Sequence, residues 1–258
     1  MTTINDVLKR YMEHQAGDIV GFGLDPTYRR VAALGNTAVS AAGTDVWAGG
    51  VVYPFKTTAT LMEVVSTSVN DAVAGTGATS IIVQGLDPNY NEVSETVLLN
   101  GTTAVPTVNT YIAINACFVT GAGVGATNAG TISIRDVGGG TVRQIIPVGY
   151  SISRSSVYTV PAGYTLSEIS MFACVNRVSA GGQANYITVA TGQRTASSGV
   201  IRLPLEFTVS STGPYRHDAE PGIITTERNS FFLRITAQSA AVDFTAAWLG
   251  KLKKNVPN

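Results

Sequence analysis

Apolar and polar residues alternate with a period of two in several stretches of this chain. Between Val200 and Val209, Ile201, Leu203, Leu205, Phe207 and Val209 fall on one side. Arg202, Pro204, Glu206 and Thr208 fall on the other. That period is the mark of a strand with one buried face. Ile132 and Ile134 alternate in the same way with Thr131, Ser133 and Arg135, and so do Phe231, Leu233 and Ile235, and Val242, Phe244, Ala246 and Trp248. Pro204 cannot donate to a ladder, so it predicts an edge strand or a bulge. Between Leu61 and Leu99, three β-branched and apolar runs (Leu61–Val69, Ser80–Leu86, Glu92–Leu99) are divided by turn clusters. Asp87-Pro88-Asn89 suits a type I turn, because proline presets φ and the short polar side chains cap the turn. Asn100-Gly101 predicts a hairpin with a type I′ turn, which needs positive φ at both central residues. Tyr111–Val119 and Thr165–Val175 read as further strands, and Pro161-Ala162-Gly163 as the turn before the second of these.

These elements predict an all-β chain with two β-sandwich domains, jelly-roll-like in the second, preceded by an N-terminal arm with one short helix. The arm spans 1–45, the first domain 46–147 and the second 148–258. Thr3 is placed to cap the helix, with Asp6 three residues on. Ile4, Val7, Leu8, Tyr11 and Met12 then share one face. Such a helix, running to Met12, is too short to stand alone in water, so its apolar face must lie on its own sheet or on a partner. We read that stripe as a partner-docking surface. The stretch from Asp18 to Gly50 has little pattern and many small residues, as expected of an extended arm lying across other surfaces.

Composition narrows the function. The 258 residues carry 17 basic and 17 acidic side chains, a net charge of zero. Nucleic-acid binding, which needs a basic face, is therefore not expected. Charged residues make up 13% of the chain, against roughly 25% in ordinary soluble domains. A surface so poor in charge fits either a neutral β protein rich in Thr and Ser or burial between subunits, as in an obligate homo-oligomer. Met1–Asp18 has no apolar signal segment, and no run nears the ~18 apolar residues of a spanning helix, so a cytoplasmically made chain without membrane contact is expected. Cys117 and Cys174 are expected as free thiols.

No constellation predicts chemistry. Of the two histidines, His14 falls in the arm, and His217 lies with Asp218 and Glu220 in a polar loop that could hold a cation only weakly. Gly121-x-Gly123-x-x-Ala126 matches the dinucleotide fingerprint in letters, but a strand follows it, where the fingerprint needs a helix. Glu63, Asp87, Glu92 and Glu95 lie in or beside strands, with nothing to single out a catalytic pair. Asn100-Gly101-Thr102 fits a glycosylation sequon without meaning in the cytoplasm. No catalytic residue, metal site or cofactor is expected. Five of the ten tyrosines, Tyr90, Tyr150, Tyr164, Tyr186 and Tyr215, fall in or beside turns. There they could stack on sugars, anchor an interface or pack the domain rim.

The string SVNDAVAGTGATSIIVQGLDPNYNEVSETVLLNGTTAV resembles a repeated module of tailed-bacteriophage virion proteins. DVWAGGVVYPF, NAGTISIR, YTVPAGYTL and the final FFLRITAQSAAVDFTAAWLG are similar to the same group. The resemblance spans roughly Asp45 to Gly250. It implies a non-enzymatic virion structural protein, a fibre or decoration component on the head or neck, attached through its arm. It also implies a homotrimer in contact with other virion proteins, whether capsid, portal, adaptor or tail. The alternative is a receptor-binding tail-fibre protein that recognises host surface glycans.

Overall fold

The alternating stretches form strands in the computed structural model, which describes residues 28–37, 41–175, 186–210, 213–218, 222–239 and 242–255. The expected helix with its stripe Ile4, Val7, Leu8, Tyr11 and Met12 lies outside the described residues, as do His14 and Glu220. The described residues form sixteen strands and are all-β. The first eight are β1 (Tyr28–Thr37), β2 (Thr60–Ser66), β3 (Ala78–Leu86), β4 (Glu92–Leu98), β5 (Val105–Tyr111), β6 (Ala113–Ala122), β7 (Ile132–Asp136) and β8 (Val142–Ile146). The next four are β9 (Tyr158–Thr159), β10 (Tyr164–Val175), β11 (Tyr186–Arg194) and β12 (Ile201–Ser210). The last are β13 (Tyr215–Asp218), β14 (Ile224–Thr225), β15 (Ser230–Gln238) and β16 (Phe244–Lys254).

Every strand pairing is antiparallel. Two sheets come from the earlier part of the chain, ordered β5-β2-β7-β8 and β4-β3-β6. Two come mainly from the later part, β1-β16-β10-β13 with β14 on β10, and β12-β11-β15-β9. The first pair of sheets shares a core built on Met62, Val64, Ile81, Val83, Tyr111, Ile132 and Ile134. The second pair shares one built on Leu166, Met171, Val189, Phe231, Leu233, Phe244 and Trp248. A third cluster, Trp47, Tyr53, Val157 and Phe232, takes partners from both parts of the chain, Val142 and Ile201 among them. Cys117 is buried and Cys174 half-buried, and the two are not joined to each other. Burial pushes the Cys117 thiol well above its ordinary value.

Three local expectations need correction. First, ten residues within the presumed arm form β1, paired along its length with β16 from Tyr28↔Lys253 to Thr37↔Phe244. Alanine and glycine in this strand hide its alternation, and backbone pairing defines it. Second, Leu203 does not face the core but is 44% exposed. β12 is an edge strand, and its register with β11 slips between Leu205 and Arg202, across Pro204. The proline thus marks both an edge and a bulge, and the bulge turns Leu203 outward. Third, Asn100-Gly101 closes no hairpin, because β4 and β5 belong to different sheets. Gly101 has φ +60°, whereas Asn100 is not among the residues with positive φ. The Gly101 N–H instead donates to the Asp71 carbonyl at 2.7 Å, and its carbonyl accepts from Ser66 N–H at 3.0 Å. Asp71 is wholly buried. Its carboxylate accepts from Ser66 Oγ at 2.6 Å and from the N–H groups of Ala78, Ala129 and Gly130 at 2.8, 2.7 and 2.9 Å. Asp71 therefore ties three loops together, two through its carboxylate and the third, at Gly101, through its main-chain carbonyl, and this contact overrides the turn preference of Asn-Gly.

Candidate functional site

Glu63 and Asp87 each build a loop or turn, whereas Glu92 and Glu95 each tie one strand to another. Glu63 on β2 binds Arg135 Nε at 2.6 Å and the N–H groups of Gly138 and Gly139 at 3.0 and 2.9 Å. The Gly138 hydrogen bond is the main reason its carboxyl lies below the usual range. Both glycines have positive φ, +85° and +75°, which lets successive N–H groups point at one carboxylate. Asp87 caps the β3–β4 connection by accepting from Asn89 N–H and Asn91 N–H, each at 2.8 Å. Burial raises its pKa, and the Asn91 and Asn89 hydrogen bonds more than offset this, so it too lies below the usual range. Glu92 makes a two-pronged pair with Arg29 of β1 at 2.6 and 2.9 Å. Glu95 accepts from Val108 N–H, Asn109 N–H and Tyr111 Oη at 2.8, 3.2 and 2.9 Å.

His217 and Asp218 sit on β13, where the imidazole stacks near Tyr215 at 6.3 Å and Asp218 pairs with Arg216 at 3.0 Å. Among the described residues, no three His, Cys, Asp or Glu side chains are grouped to hold a metal ion. The glycines of the apparent dinucleotide fingerprint have a packing role. Gly123 and Gly125 donate to Gly77 and Thr76 carbonyls at 2.7 and 2.8 Å. A Cβ on Gly123 would lie 2.4 Å from the Gly75 carbonyl oxygen.

The tyrosines stand apart from one another. Tyr150 lies beneath the Arg154 guanidinium at 4.4 Å, and Tyr164 beneath that of Arg29 at 5.5 Å. Tyr215 stacks on Phe207 at 4.1 Å, and Tyr186 is 44% exposed. Tyr90 alone of the five lines one of two cavities at the seam between the earlier and later sheets.

That seam is the most site-like feature of the molecule. Asn115 of β6 uses its side-chain amide as a strand edge would. Its Nδ2 donates to the Thr159 carbonyl, and its Oδ1 accepts from Thr159 N–H, both at 2.9 Å. Asn115 lines a cavity of about 470 Å³ together with Arg29, Gln84, Glu92 and Tyr158. Thr159 lines a tighter recess of about 20 Å³ with Tyr53, Phe55, Tyr90, Arg143, Arg194 and Arg228. Lys56 also faces it.

The recess is basic. Asp136 neutralises Lys56 and Arg143, and Arg143 also donates to the Pro54 carbonyl. Arg194 and Arg228 have no carboxylate partner among the described residues. Their guanidiniums lie over aromatic rings, Arg194 over Phe55 at 5.0 Å and Arg228 over Tyr90 at 5.9 Å. Burial pushes the Arg194 guanidinium below its ordinary value, partly countered by Tyr90. Tyr90 and Arg228 both have left-handed backbones, at φ +65° and +66°. Tyr90 is held across the seam by the hydrogen bond from Ala162 N–H to its carbonyl at 2.9 Å, and Arg228 is held within the later part of the chain by its N–H bond to the Val160 carbonyl at 2.7 Å. Sequence reasoning found Tyr90 but not the arginines. Those come from well-separated segments, and no spacing rule links them.

No family model matches this chain, and no curated protein is similar to it. Among solved structures it shows a faint likeness to infectious bursal virus derived T=1 particles, at 11% identity over 90% of this chain and 78% of that one, with a TM-score of 0.14. Particles of a mutant VP2 protein of infectious bursal disease virus give 10% identity over the same shares, with a TM-score of 0.15. Likeness at this level carries no argument.

Proposed function

We propose that this chain is a non-enzymatic structural component of a tailed-bacteriophage virion, a fibre or decoration protein of the head or neck. In this reading its strands make two β-sandwich domains, 46–147 and a jelly-roll-like 148–258. The chain works as a homo-oligomer, a trimer by resemblance, and is fastened to other virion proteins by its N-terminal arm. The observation that carries the reading is the use of polar side chains. Asp45, Glu63, Asp71, Asp87, Glu95 and Asp136 are each saturated by hydrogen bonds or ion pairs that tie loops to strands. Such a chain invests its polar chemistry in a rigid shape. Apolar groups left on the surface, Phe172 at 44%, Ile224 at 52% and Leu203 at 44% exposed, suit burial between subunits. The test is a chain lacking residues 1–27, expressed during infection in place of the full chain. It should fold and oligomerise yet be missing from purified particles. Normal incorporation would refute attachment through the arm.

A second reading, a receptor-binding protein that recognises host surface glycans, is favoured by the basic and aromatic recess at the seam.

A further inference from the structure

The recess brings together two guanidiniums without counter-ions, three aromatic rings and a pair of hydroxyls. Arg194 is half-buried and Arg228 exposed at the rim. A desolvated guanidinium held over a ring keeps its N–H fork directed away from carboxylate partners within the chain. Two guanidiniums at one recess, one half-buried and one at the rim, neither paired with a carboxylate among the described residues, favour an oxyanion. The free space, about 20 Å³, holds little more than a single water-sized group. A tetrahedral phosphate is too bulky to enter it. A planar carboxylate can place one oxygen inside while its other oxygen meets Arg228 at the rim. Beside the charges, Tyr53, Phe55 and Tyr90 contribute ring atoms to the lining, and Thr159 Oγ1 and Ser230 Oγ, hydrogen-bonded to each other at 2.9 Å, keep one hydroxyl proton between them to donate. Ring atoms with a hydroxyl donor and a guanidinium fork form a set suited to a sugar ring that bears a carboxylate.

We propose that the recess lined by Tyr90, Arg194 and Arg228 binds the carboxylate of an acidic saccharide of the uronic-acid type. This inference rests on the second reading above for the source of the ligand. Arg194 holds the inner oxygen, Arg228 the outer one, and Tyr90 borders the sugar ring. The Tyr90 carbonyl, bonded across the seam by Ala162 N–H, and the Arg228 backbone, fixed within the later part by Val160, set the distance between the two parts of the site. If the earlier and later sheets shift against each other, the site is lost.

The experiment is calorimetric titration of the full chain with tri-galacturonate at low salt. Maltotriose, acetate and inorganic phosphate serve as comparators. Tri-galacturonate should bind, maltotriose should not, and acetate should bind far more weakly. Arg228→Gln, at an exposed position, and Arg194→Gln, with its fold checked by thermal melting, should each weaken tri-galacturonate roughly tenfold or more, the loss of one charge-assisted hydrogen bond. Equal affinity for acetate would overturn the saccharide assignment, and preference for phosphate would overturn the carboxylate. Maltotriose binding that both variants retain would overturn this site while leaving glycan recognition intact. Absence of binding to every saccharide would overturn both.

Discussion

Glu168 offers the sharpest test of the packing described above. It lies on β10, its side chain is wholly buried, and among the described residues neither carboxylate oxygen has a hydrogen-bond partner. Its backbone N–H donates to the Ile223 carbonyl at 3.0 Å, and a register shift follows it before Ser170. Burial is the largest effect on the carboxyl; the Ile223 main-chain N–H near it opposes the rise, the like charge of Asp218 adds to it, and the net effect pushes the pKa up from 4.5 to about 7. A carboxyl whose folded pKa is raised holds its proton longer in the folded chain than in the unfolded one. Stability is therefore lost as pH rises from about 4.5 through about 7 and is level beyond. The ceiling on that loss is about 3 kcal/mol, or about half of it after discounting for solvent screening near the strand bulge. Glu168→Gln keeps the shape and removes the charge. The difference in unfolding free energy between variant and parent should widen by about 1 to 2.5 kcal/mol in the variant's favour between pH 5 and pH 8.5. Urea denaturation at matched protein concentration measures it. A gap independent of pH would refute the claim that Glu168 is buried without a partner.

Three further outcomes follow from the same contacts. Asp71→Ala strands three buried N–H groups, at about 1 kcal/mol or more each, and should lower the urea midpoint by the equivalent of at least ~3 kcal/mol; a loss under ~1 kcal/mol would contradict its role in gathering the loops. Removing residues 1–45, unlike removing 1–27, deletes β1 and the Asp45 carboxylate that holds Arg234 at 2.7 Å. Breaking that buried pair alone costs about 3–5 kcal/mol, so this truncated chain should show no cooperative melting transition. Sedimentation at low micromolar concentration should give a multiple of 26.9 kDa; a folded monomer would contradict burial of Phe172, Ile224 and Leu203 between subunits.

Strands with one buried face were legible in the sequence because burial writes itself as alternation. β7, β15 and β16 show it directly, and β12 shows it as far as Pro204. β1 was not legible, since Ala32, Ala33 and Gly35 contribute little side chain and the strand is held by its ladder to β16. The turn at Asn100-Gly101 was misread because the Gly101 N–H is taken by the main-chain carbonyl of a wholly buried aspartate thirty residues earlier, a contact that local sequence does not announce. The seam was illegible for a related reason. Arg143, Arg194 and Arg228 meet Tyr90 only after four sheets have packed, and nothing in local spacing announces that meeting. The glycines of the apparent fingerprint show the reverse case, a pattern of letters that packing alone explains.

The claim that this chain is part of a virion is tested most directly by locating it on intact particles. Antibodies raised against residues 28–255 and carried on gold should decorate purified, unbroken tailed-phage particles at the head or neck, with the chain present in many copies in the same preparation. If the chain is absent from purified particles and remains in the cleared lysate, the account is wrong.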